Sequence, residues 1–190
     1  MGRTTKIDVA RRQLACAIRL FFADDDLVSI YSLGANAWEV IDALCSRDSV
    51  GSISSETREH VRSGSDLKRD YVNSPYRNFF KHADKDPEET LPDIEHPQVE
   101  AILFLAVEDY IRLVRKSPVE FQVFQLWYLA ININKGDPGA LAEVLRSTEA
   151  ALPGIRDAAR VRQVAMGQQL LRESGRDASL LADPHTQSAF

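Results

Sequence analysis

The chain has 190 residues, 44% of them hydrophobic, and a formal net charge of −5. That length and apolar content support one compact core. The acidic balance excludes a uniformly basic nucleic-acid coat, so any RNA or DNA contact must come from a local patch. The opening "MGRTTKIDVA" lacks the apolar run of a secretory signal, and the purest apolar run, Ala101 to Val107, is far short of the roughly 20 residues that span a bilayer. A cytoplasmic protein without membrane contact is expected. Cys16 and Cys45 read as reduced core thiols, because both fall in apolar-periodic segments and neither belongs to a C-x-x-C pair.

Helical periodicity dominates. Thr5 and Asp8 have the spacing of a capping box, and Ile7, Ala10, Leu14, Ala17, Ile18 and Phe21 follow at intervals of three and four. Asp24, Asp25 and Asp26 end this helix and suit the positive end of the next. There Leu27, Ile30, Ala37, Trp38, Ile41, Leu44 and Cys45 make the stripe. Residues 46–66 are serine-rich and predict a loop with one short helix. "LKRDYVN" resumes a helical pattern, and Ser74-Pro75 predicts a fresh start, with Ser74 as N-cap and Pro75 at the first helical position. After an acidic loop, His96-Pro97 opens a helix to about Lys116, with Glu108 and Arg112 spaced to pair on its wet side. Ser117-Pro118-Val119-Glu120 starts a helix that is apolar nearly all round and is expected at the centre of the bundle. Asp137-Pro138 starts another, and a last helix runs to about Gly175. Residues 1–175 are expected to form a single all-helical domain of six or seven helices, and the tail 176–190 to fray.

The chemistry concentrates in "YRNFFKHADKDP", residues 76–87. Arg77 and His82 are five apart, about 140° of helical rotation, and so do not share a face. Asn78 shares one with His82, and Arg77 one with Lys81. An amide and an imidazole thus adjoin two cations. Imidazole titrates near neutral pH and can take and return a proton. Guanidinium stays charged and grips two phosphate oxygens at once.

The stretch "RNFFKH" resembles the R-N-x3-H signature of the HEPN superfamily. The resemblance covers this motif and the all-helical setting, not the whole chain. It implies a four-helix core, here with additional C-terminal helices, a homodimer, and metal-independent ribonuclease activity of the kind found in toxin–antitoxin and defence systems. It also implies that Arg77, Asn78 and His82 form the catalytic set. His82 would act as base on a ribose 2′-OH, Arg77 would stabilise the phosphorane, and Asn78 would orient His82 or the phosphate. No cofactor and no metal would be needed, and an antitoxin protein would be a partner. The run "NFFKHADKDP" also resembles a group of uncharacterised bacterial helical proteins.

Around the motif, Lys81, Lys68, Arg69, Arg62 and Tyr76 are candidate RNA-binding residues. Each has a plainer reading beside it. Glu56, Glu59, Asp66 and Asp70 are interleaved with the cations, so a solvated mixed face fits the same pattern. His82 fits the negative end of a helix dipole, and Arg77 a salt bridge to Asp70 or Asp84. Phe79 and Phe80 fit the core. Tyr76 fits amphipathic packing. His82 with Asp84, and His96 with Glu100, hint at metal but lack a third ligand. The alternative to an enzyme is a non-catalytic helical module for protein interaction or dimerisation.

Overall fold

The computed structural model describes residues 2–81, 84, 87–132 and 142–190. It is all-α. The helices are α1 (Lys6–Phe22), α2 (Leu27–Arg47), α3 (Ile53–His60), α4 (His96–Val114), α5 (Val119–Asn132), α6 (Ala142–Ala151), α7 (Arg160–Ser174) and α8 (Ala178–Leu181). A π-helical segment, Leu67–Arg77, lies between α3 and α4, and a 3-10 turn, Ile155–Asp157, precedes α7. Among the described residues no helix is long and apolar enough to cross a membrane. The start expected at Asp137-Pro138 falls outside the described residues.

The caps explain where the first helices begin. Asp8 N–H donates to Thr5 Oγ1 (3.2 Å) and Thr5 N–H to Asp8 Oδ2 (3.1 Å), which closes the capping box. Asp26 accepts from Ser29 N–H (2.8 Å) at the start of α2. The middle helix of the bundle is α2, which packs most extensively against both α1 and α4. That place was expected for α5. Helix α5 does bury Val119, Phe121, Val123, Phe124, Trp127 and Ala130, but it lies against α1, α4, α6 and α7 with its other positions half exposed. Two glycines allow close approach. A Cβ on Gly34 would come within 2.9 Å of Leu103 Cδ2, and one on Gly167 would overlap the Phe22 ring.

Several buried polar groups are paired across elements. The Trp38 indole N–H donates to Ser54 Oγ (2.8 Å), and the Ser54 hydroxyl donates to Asp109 Oδ2 (2.5 Å). Asp109 is wholly buried, and burial pushes its carboxyl above the ordinary carboxylate range despite the bonds from Ser54. Arg112 reaches Glu56 (2.6 Å), and Glu108 accepts from Gln125 Nε2 (2.6 Å), so the pairing along α4 gives way to bonds with neighbouring elements. Cys16 and Cys45 are free thiols. Burial raises the Cys45 thiol to about 11, which keeps it protonated and inert.

The tail does not fray. Ser117 N–H donates to His185 O (2.9 Å) and Gln187 N–H to Ser117 O (3.1 Å), a short parallel bridge over the α4–α5 corner. Gln122 Nε2 donates to Thr186 Oγ1 (3.0 Å), Ala189 is buried, and the Arg19 guanidinium lies 4.3 Å from the centre of the Phe190 ring. Backbone pairing of this kind has no periodic signature, which is why the sequence pattern predicts a loose end.

Candidate functional site

The π-helical segment positions the site. Its start is capped by Asp66, whose Oδ1 accepts from Arg69 N–H (2.7 Å). Ser74 breaks the helical path with φ −106° and ψ 137°, extended backbone between two helical stretches; the Ser74–Pro75 bond is cis. Beyond it the chain turns helically again, and Phe80 N–H donates to Tyr76 O (2.9 Å). Leu67 and Val72 point into the core. The Tyr31 hydroxyl, pushed up to about 12 by burial, donates to Val72 O (2.8 Å) and ties the segment to α2.

On the side toward α2 the cations meet. Arg77 donates from Nη1 to Asn73 Oδ1 (3.0 Å) and from Nη2 to Asn36 Oδ1 (3.2 Å), and pairs with Glu39. Its acid partner is therefore Glu39 of α2, while Asp70 is engaged by Arg69 (2.6 Å). Lys68 Nζ reaches the other Glu39 oxygen (2.5 Å), and Lys81 Nζ donates to Asn36 Oδ1 (3.2 Å). Burial pushes the Glu39 carboxyl up, but Lys68 and Arg77 outweigh it and hold the group below its ordinary value. Lys81 is shifted down, first by partial burial and then by the Arg77 charge. Three cations thus surround one carboxylate and two amides, and these charged groups sum to +2 in a chain of −5.

The other predicted residues are spread out. Asn78 is exposed at the end of the helical segment, and Arg62 is exposed on the loop before it. Tyr76 is half buried, its ring 5.9 Å from Tyr31 and 6.2 Å from Phe80, so its faces are committed to packing, and Phe80 joins the same aromatic cluster. His82 lies outside the described residues. Among the described residues no group of three His, Cys, Asp or Glu side chains could hold a metal ion. Glu100, paired in the sequence reading with His96, pairs with Arg160 (2.5 Å).

Asn36, Glu39 and Asn73 carry the cluster, and sequence reasoning did not single them out. The one available signal was polar residues three apart, Asn36 and Glu39, inside a helix otherwise rich in apolar residues. What the arrangement can do is hold a guanidinium in fixed orientation beside two lysines, a cradle suited to phosphate oxygens. No protein-family model, curated protein or solved structure matches the chain, so the cluster is defined by its own geometry.

Proposed function

We propose that this protein is a HEPN-like, metal-independent endoribonuclease with Arg77, Asn78 and His82 as its catalytic set. The observation that supports this reading is the convergence of Lys68, Arg77 and Lys81 on Asn36 and Glu39 beside the R-N-x3-H stretch of an acidic chain. In the reaction His82 takes the proton of a ribose 2′-OH. The freed oxygen attacks the adjacent phosphorus, the bond to the 5′-oxygen breaks, and the proton passes to that oxygen. The products are a 2′,3′-cyclic phosphate and a 5′-OH. Arg77, fixed by Glu39, Asn36 and Asn73, neutralises charge building on the phosphorane without reorganising. Lys68 and Lys81 attract the flanking phosphates, and Asn78 orients the phosphate or the imidazole. Two copies of the chain would face each other across the site, and a toxin or defence role with a protein antidote is the setting the motif implies.

Purified protein is expected to cleave single-stranded RNA in EDTA, and His82→Ala to abolish cleavage while leaving the helical circular-dichroism signal intact. Cleavage that survives His82→Ala, or a wild type that cleaves no RNA, would overturn the reading. A second reading, a non-catalytic interaction module, is favoured by the Arg77–Glu39 pair, which by itself gives the arginine a structural use. It predicts no cleavage under any of these conditions.

A further inference from the structure

The π-helical segment has two working sides. Lys68, Asn73 and Arg77 face the cationic cluster, while their chain neighbours Leu67 and Val72, with Tyr71, line a groove of about 400 Å³ on another side. The opposite wall is Pro97, Ala101 and Leu105 of α4, spaced four apart and so on one face. Leu67 and Val72 are buried and close the floor, and Tyr71, at 50% exposure, stands at the rim. Thr57 and the exposed Gln98 add polar groups to the lining.

We propose that this groove receives an unpaired nucleobase of the RNA whose phosphates meet Lys68, Arg77 and Lys81. The inference rests on the ribonuclease reading and adds the substrate class: single-stranded RNA with a base turned out of its stack. A volume near 400 Å³ is the scale of a small ligand rather than of a helix face. The exposed Tyr71 ring can stack on a base whatever its identity, and stacking of this kind is sequence-tolerant. Gln98 and Thr57 can hydrogen-bond a base edge, which is how splayed bases are read. The cations border the same eleven-residue segment, so a strand crossing it would present phosphate to one side and base to the other.

The test uses the full chain and two fluorescent probes: a short 2′-O-methyl oligouridylate, which cannot be cleaved, and the abasic oligomer with the same backbone charge. Wild type should bind the base-bearing probe about tenfold more tightly than the abasic one. Tyr71→Ala and Ala101→Trp, both at exposed positions, should erase that preference and leave abasic binding unchanged. Lys81→Ala should weaken both probes alike. Equal binding of the two probes by wild type, both sensitive to Lys81→Ala, would overturn the base site while sparing the phosphate cradle. A preference that survives Ala101→Trp would place the base elsewhere. Failure of wild type to bind either probe would sink the base site and the ribonuclease reading together.

Discussion

Two arginines hold comparable positions in this bundle and serve it differently. Arg160, at the start of α7, pairs with Glu100 (2.5 Å), and its guanidinium lies 4.8 Å from the Trp127 ring centre and 5.6 Å from that of Phe21. Arg77 pairs with Glu39, but its companions are Asn36, Asn73 and, through the shared carboxylate and amide, Lys68 and Lys81. Both have a buried Nε without a hydrogen-bond partner. The Arg160 charge is spent on aromatic faces and one acid, as in a structural clamp. The Arg77 charge also pairs with an acid, but it is placed among other cations, an arrangement that leaves net positive charge at the site. Pairing with an acid is common to both arginines; the neighbours beyond the pair are what differ.

The comparison can be broken at its aromatic end first. Phe21, Phe22, Phe124 and Trp127 pack edge-on or tilted with centroids 5.2 to 6.1 Å apart, and the Trp127 indole donates to Gln163 O (2.8 Å). Trp127→Ala should lower unfolding stability by about 4 kcal/mol in urea, through the lost burial and the cavity left behind. Arg160→Met should cost about 3 kcal/mol, because it removes the guanidinium that pairs with the buried Glu100 carboxylate and lies over the Trp127 ring. Arg77→Met should cost only about 1 kcal/mol, since Glu39 keeps Lys68 and is one-third exposed. If Arg77→Met proves as costly as Arg160→Met, the contrast between the two sites disappears.

The Arg77→Met variant also carries a pH signature. The Glu39 carboxyl is held below its ordinary value in the folded protein by Lys68 and Arg77. Its pairing therefore contributes stability above that value, which is lost as pH falls through the lower folded value. Removing Arg77 weakens the downward pull, so the stability difference between wild type and Arg77→Met should shrink as a denaturation series is taken from pH 7 into the acid range. A difference that stays constant or grows would mean that Glu39 is not the arginine's electrostatic partner.

Local signals were legible in the sequence and long-range ones were not. The Thr5–Asp8 box and the Asp26 cap are contacts within four residues, and both are present as the sequence predicts. The stripe residues Leu14, Ile18, Trp38 and Ile41 are buried as their periodicity predicts. Glu39 and Arg77 are 38 residues apart, and Ser54 and Asp109 are 55 apart. No periodicity links such pairs, since they depend on which faces of different helices meet. The same limit explains Glu108 and Arg112: their spacing permits an ion pair, but partners on neighbouring elements take both side chains. Arg77 itself was visible from the motif, whereas the carboxylate that orients it was not.

The strap formed by residues 185–187 ties the far end of the sequence to the corner between α4 and α5, and Phe190 reaches back to Arg19 on α1. Opening that corner therefore requires peeling the strap away. Amide protons of Ser117 and Gln187 should exchange with solvent deuterium at matched rates, as members of one unit that opens together.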